Sequence, residues 1–267
     1  VPVVVLISGS GPQDRNEEIL GHKPFLVISD HLTRNGIGVL RYDDRGIAGS
    51  TGNFATATTM DFASDAESAV AFLKTRTDID TERIGLMGHS EGGVIAPIVA
   101  SRSEDVNFIV LLAGTGIRGD KLLLMQSELI SRANGLSEDT IQISKEVNSG
   151  MFEIVINNKD LKNLEDELTN YLKDFSIKNP QELILPEGRS LDDMIAVQVA
   201  EVANPWMSNF IKHDPAPVLE KVSCAVMAVN GDKDLQVPAQ ENLTAIKEAL
   251  NRGGNENVTT MEFKNLN

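Results

Sequence analysis

Gly88-His89-Ser90-Glu91-Gly92, followed by Gly93, is the stretch whose residue types and spacing most directly suggest chemistry. It lies between an apolar run at 84–87 that reads as a strand and a run at 94–100 that reads as a helix. A serine between glycines in that context is a nucleophile-elbow pattern. The sharp strand-to-helix turn strains the serine backbone, and the flanking glycines remove side chains that would collide. The hydroxyl is then presented above a sheet at a helix N-terminus, where the dipole favours developing negative charge. The chemistry expected is nucleophilic acyl transfer, with Ser90 as the nucleophile.

Acyl transfer passes through an oxyanion, and removing one of its hydrogen-bond donors typically costs about 3 kcal/mol. One donor is expected to be the backbone N–H of Glu91, the residue after the nucleophile. The other is expected from Ile7-Ser8-Gly9-Ser10-Gly11-Pro12, the loop after the first apolar run. Ser10 is the first choice there and Gly11 the alternative. That loop is not a phosphate cradle, since no Gly-Lys-Ser/Thr follows. A carboxylate that orients a histidine and stabilises its imidazolium is also needed. Asn230-Gly231-Asp232-Lys233-Asp234-Leu235-Gln236-Val237-Pro238 supplies two candidates. Asp234, deeper in the loop, is the first choice, and Asp232 reads more readily as a turn residue. The glycine of a calcium loop is absent from its required place, and no metal site is expected.

The chain has four histidines, His22, His31, His89 and His213. His89 belongs to the elbow and cannot swing back onto its neighbour's hydroxyl, so it reads as a packed residue or one that lines substrate. His22 and His31 flank or lie on the first helix, and His213 stands near the end of the middle block. Chain order Ser, Asp, His puts the triad histidine in the loop after residues 258–263. The sequence ends there, at Asn267. It begins inside an apolar run, so both ends are expected to be cut, and a missing leader carries no information. The 267 residues alone are therefore expected to turn over substrate slowly.

Positioning these groups requires a framework, and composition indicates which. The 267 residues carry 24 basic and 39 acidic side chains, a net charge of −15, and 41% are hydrophobic. That acidity argues against a nucleic-acid or anionic-membrane partner. A single cysteine, Cys224, excludes an intramolecular disulfide framework, and no apolar run approaches the length of a membrane span. Residues 1–116 and 221–267 hold 17 of the 21 glycines, while 117–220 hold four, with 18 acidic and 10 basic residues. This reads as a helical, acidic insertion within a glycine-punctuated α/β core.

Apolar runs at 3–7, 37–42, 84–87, 108–113 and 225–229 are continuous, as in strands buried on both faces of a parallel sheet. A sixth run spans 258–263. Helical spacing at 24–34, 62–75, 92–100 and 239–250 separates most of them, which predicts a doubly wound, mostly parallel sheet. Within the insertion, helices are expected over 121–133, 138–157, 161–175 and 191–210. An insertion above the carboxyl ends of the strands would form a lid. Arg45, after the second run, is a candidate for touching substrate or for an ion pair with Asp43, Asp44 or Asp14. Trp206 and Met207 are candidates for lining an acyl pocket or for packing the insertion.

Four segments together resemble one family. They are Ser8-Gly9-Ser10-Gly11-Pro12-Gln13-Asp14-Arg15-Asn16, the stretch Leu40-Arg41-Tyr42-Asp43-Asp44-Arg45-Gly46 with Gly49-Ser50-Thr51-Gly52 after it, the elbow, and the loop Asn230 to Pro238. The chain resembles bacterial α/β-hydrolases of the EstD carboxylesterase type, related to dienelactone hydrolases and prolyl oligopeptidase catalytic domains. The resemblance implies an α/β-hydrolase fold with a helical cap, and hydrolysis of small-molecule carboxylic esters without a cofactor. It implies Ser90 as nucleophile, Asp234 as acid, and Ser10 and Glu91 as oxyanion donors. In that family a histidine follows the equivalent of Leu266-Asn267, and two further strands precede the equivalent of residues 1–7.

Overall fold

Each of the six apolar runs forms a strand in the computed structural model, which describes residues 1–158, 161–179, 188 and 190–267. They are β1 (Val3–Ile7), β2 (Gly38–Leu40), β3 (Ile84–His89), β4 (Phe108–Leu112), β5 (Ala225–Gly231) and β6 (Val258–Phe263). All five pairings are parallel, in the order β2-β1-β3-β4-β5-β6. Parallel neighbours need crossovers, and four helices supply most of them: α1 (Pro24–Arg34), α2 (Thr59–Lys74), α3 (Gly92–Ala100) and, later in the chain, α10 (Ala239–Arg252).

β1 shows why its run is continuous. Val4 and Leu6 pack with Phe25 of α1, while Val3, Val5 and Ile7 point to the opposite face and are equally buried. Successive strand side chains alternate between faces, so burial on both sides removes any polar alternation. α3 is buried along its whole length, consistent with its almost wholly apolar sequence. α2 begins with a capping box in which the Thr58 backbone N–H and hydroxyl both donate to Asp61, satisfying N-terminal groups that the helix itself leaves unpaired. Edge strands β2 and β6 are the less buried ones.

The chain divides into two compact units, Val1–Ile117 with Asp214–Asn267, and Arg118–His213. Residues 214–220, read from sequence as the end of the insertion, fold with the first unit. There the short helix α9 (Ala216–Leu219) buries Leu219. The second unit contains α4 (Gly119–Ala133), α5 (Glu138–Asn157), α6 (Leu161–Lys178), α7 (Leu191–Ala203) and α8 (Pro205–Lys212). Leu164, Leu168 and Leu172 recur every four residues on α6 and join Val155, Ile195, Val199 and Ile211 in one apolar cluster, the stripe expected of amphipathic helices.

One helical expectation is corrected. Residues 191–210 are two helices rather than one. Asn204 leaves the helical region at φ −65° and ψ 153°, and its Oδ1 accepts the Met207 N–H at 2.8 Å. Proline at 205 disfavours helical backbone in the residue before it and is itself suited to the first turn of a helix. The apolar spacing continued through the break, so periodicity alone merged the two.

Among the described residues, no helix is long and apolar enough to cross a membrane, and no three His, Cys, Asp or Glu side chains group to hold a metal ion.

Candidate active site

The first unit is built around the place where the chain parts. From β1 the connection steps outward to β2, and then crosses back over β1 to β3 on its other side. In open parallel sheets, ligands bind at such a switch point, beyond the carboxyl ends of the strands. The register Ile7↔Gly88 sets the loop after β1 beside the turn after β3.

Ser90 occupies that turn with φ +51°, the left-handed region that is costly for a residue with a Cβ. Its N–H donates to Leu112 O at 2.9 Å, and its carbonyl accepts from Gly93 N–H at 2.9 Å. The turn closes only because its neighbours lack side chains. A Cβ at Gly88 would run into the Gly92 carbonyl, and one at Gly92 into the Ile7 carbonyl. Gly9 is as close from the other side, since a Cβ there would lie 3.3 Å from Ser90 Cβ. Glu91 is the N-cap residue of α3, and its carboxylate is buried and accepts the Thr59 hydroxyl at 2.7 Å.

The β1 loop is held by carboxylates. Asp44 accepts the Ser8 hydroxyl at 2.9 Å and the Gln13 N–H at 3.0 Å. Burial pushes the Asp44 carboxyl up to about 6; those two hydrogen bonds work against the rise, while the charges of Glu91 and Asp65 add to it. Asp43 takes a two-pronged grip from Arg15, with Nε at 3.0 Å and Nη2 at 2.6 Å. That guanidinium holds the Asp43 carboxyl well below the usual range. Glu17, with φ +53°, is buried and accepts both the Gly9 N–H and the His89 Nδ1, each at 2.7 Å. Burial disfavours the charged His89 ring. The hydrogen bond to Glu17, the Glu17 charge and the Asp234 charge outweigh it and raise the imidazole above its ordinary value. Ser10 is exposed, and Gly11 has φ +99°.

Both aspartates of the β5 loop are partly buried. Asp234 closes its own turn through Oδ1, which accepts the Gln236 N–H at 2.8 Å and the Val237 N–H at 2.9 Å. Asp232 Oδ1 instead accepts the Asn265 N–H at 2.7 Å, and Leu266 O accepts the Lys233 N–H at 2.8 Å. Residues 265–266 therefore lie along the β5 loop.

The remaining candidates make the following contacts. Arg45 is engaged by α2, with Nε and Nη2 each 2.8 Å from Asp65 and Nη1 3.3 Å from Asp61. The ion pair expected with Asp43, Asp44 or Asp14 is thus made with residues one crossover later. Trp206 and Met207 belong to the second unit, where Trp206 stacks on Phe210 and Met207 packs against the helical cluster. His22 and His31 are exposed, and His213 ends α8. Sequence reasoning missed Glu17 and the anchoring role of Asp44. The only signal for Glu17 was an acidic residue one position beyond the motif Ser8 to Asn16.

Residues 24–166, more than half the chain, match the family model Hydrolase_4, described as serine aminopeptidase, S33. The chain belongs to that α/β-hydrolase family. It is 26% identical over 271 residues to Esterase EstD of Thermotoga maritima, covering all of this chain and 54% of that protein. The chain therefore spans about half the length of the curated relative it matches. Solved structures agree on the fold. The α/β hydrolase GrgF from Penicillium sp. sh18 aligns at a TM-score of 0.59 with 16% identity, over 99% of this chain and 81% of that one. Est1E from Butyrivibrio proteoclasticus, solved with ferulic acid bound, aligns at 0.54 with 18% identity, over 99% and 80%. The Pyrococcus furiosus esterase Pf2001 aligns at 0.57 with 14% identity, over 98% and 72%.

Proposed function

We propose that the first unit carries the nucleophile of a serine hydrolase that cleaves small carboxylic esters through an acyl-enzyme. The observation that supports this most is the left-handed Ser90, at φ +51° on a turn between a buried strand and a buried helix. Strain of that kind persists where surrounding structure over-determines it, and it clusters at reactive residues.

On this reading, Ser90 Oγ attacks the ester carbonyl carbon, and the carbonyl oxygen takes up the negative charge. The Glu91 N–H, at the start of α3, and the Ser10 N–H, in the loop tied down by Asp44 and Glu17, hold that charge; Gly11 is the alternative donor. The proton leaves Oγ for an imidazole that Asp234 orients and returns to the departing alkoxide, and water then repeats the sequence on the acyl-enzyme. The family resemblance implies an imidazole in the loop after β6, and the position of residues 265–266 along the β5 loop supports that reading. The likeness to EstD supports ester substrates, and the family description favours a second reading, in which the same serine cleaves aminoacyl amides.

The test is hydrolysis of p-nitrophenyl acetate and butyrate beside aminoacyl p-nitroanilides, with labelling by a fluorophosphonate. Esters are expected to turn over faster than anilides, with the label on Ser90. Ser90→Ala is expected to lose at least about 10³-fold in kcat. Undiminished turnover in that variant would remove Ser90 from the reaction.

A further inference from the structure

One buried carboxylate in the first unit touches the nucleophile's turn and the oxyanion loop at once. Glu17 Oε1 receives the Gly9 N–H and the His89 Nδ1, each at 2.7 Å, across separations of 8 and 72 residues. Its side chain is 6% exposed, and its backbone stands at φ +53°, closed by its own N–H donating to Asp14 O at 2.9 Å. A carboxylate withdrawn from water is costly unless paired and hydrogen-bonded. Here one partner is the residue before Ser90, and the other is a residue whose Cβ position lies 3.3 Å from Ser90 Cβ. The strained backbone and the buried charge are thus both spent on tying the same two segments together.

We propose that Glu17 is a positioning residue for acyl transfer at Ser90, holding the oxyanion loop through the Gly9 N–H and the imidazole of His89 against the nucleophile's turn. The inference rests on the acyl-transfer reading above. Its chemical content is specific. The Gly9 N–H is consumed by Glu17, so the loop's donor to the oxyanion must come from a later residue, Ser10 or Gly11. Because Nδ1 of His89 faces a carboxylate, that nitrogen carries the proton, and the ring orientation beside Ser90 is fixed. A displaced donor weakens binding of the transition state more than binding of the substrate.

Glu17→Gln keeps an oxygen for one N–H and removes the charge; Glu17→Asp keeps the charge on a shorter arm. Four quantities are measured in the protein and both variants: kcat and KM for p-nitrophenyl butyrate, affinity for butylboronic acid as a tetrahedral mimic, and the NMR titration midpoint of His89. For Glu17→Gln the expected result is a fall in kcat of about 10-fold or more with KM within about twofold, a parallel loss of boronate affinity, and a lower His89 midpoint. Glu17→Asp should recover part of the His89 shift and of kcat. Wild-type kcat and boronate affinity in Glu17→Gln, beside an inactive Ser90→Ala, would overturn this inference and leave the acyl-transfer reading standing. Activity surviving in Ser90→Ala would overturn both. If Glu17→Gln does not fold, Glu17→Asp decides: lowered kcat with an unchanged melting temperature supports the role, and wild-type kcat overturns it.

Discussion

The two units of this chain solve the problem of holding residues in place by opposite means. In the first unit, Glu17, Leu20, Ala48, Ser90, Ala113 and Asn265 adopt left-handed backbone although none is glycine. Among the described residues of the second, that conformation is confined to Gly135 and Gly188. Ser90 and Ala113 directly follow β3 and β4. The second unit instead follows local preference: Ser137, Ser190 and Asn204 cap its helices, and leucines at four-residue spacing fill its core. Strain collects in the unit whose loops carry the proposed chemistry, and a unit built from capped helices has little use for it.

Three measurements would break or sharpen that contrast. The largest expected effect lies in the relaxed unit. Leu168 is fully buried, and Leu168→Ala should cost about 3–4 kcal/mol. Hydrogen exchange should show the loss in α5, α6 and α7, with β1, β3 and β4 still protected. Equal loss in the strands would show that the two units unfold together.

The next concerns the strained unit and its buried carboxylate. The Asp44 carboxyl is raised to about 6, so the folded protein binds that proton more tightly than the unfolded chain does. Its stabilising contribution is complete below the ordinary carboxylate value, near pH 4, and is lost as the pH rises through about 6. Two pH units correspond to about 3 kcal/mol at most. Urea unfolding at pH 5 and pH 8 should show this decline, and Asp44→Asn should remove that part of it. A pH dependence identical in the variant would refute the assignment.

The smallest effect tests the cap that split the predicted helix. Asn204→Ala removes the acceptor for the Met207 N–H and should lower stability by about 1 kcal/mol. A variant that melts at the wild-type temperature would show that Pro205 alone sets the break.

Legibility divides along the same line. Continuous apolar runs marked five of the six strands and a less regular run marked β6, and 24–34, 92–100 and 138–157 coincide with α1, α3 and α5, because each signal lies within one element. The merging of α7 and α8 shows the limit of periodicity where a cap and a proline compete with it. Arg45 shows a different limit. Its neighbours Asp43 and Asp44 were the obvious partners, yet Asp43 is held by Arg15 and Asp44 by Ser8 and Gln13, which leaves Arg45 to Asp61 and Asp65. Choosing among five carboxylates requires knowing which are already occupied.

By itself the sequence determined the strand–turn–helix around Ser90, the glycines that let it close, and the alternation that makes a parallel sheet. Those are short-range steric and hydrophobic constraints, complete within a dozen residues. Tertiary structure decided that the loop after β1 meets the turn after β3. It decided too that the buried carboxylate of Glu17 joins Gly9 to His89, and that residues 265–266 lie along the β5 loop. Each depends on strand order and register, which bring together residues dozens of positions apart. No local pattern encodes those pairings, because a hydrogen bond between distant segments leaves no mark on the spacing within either one.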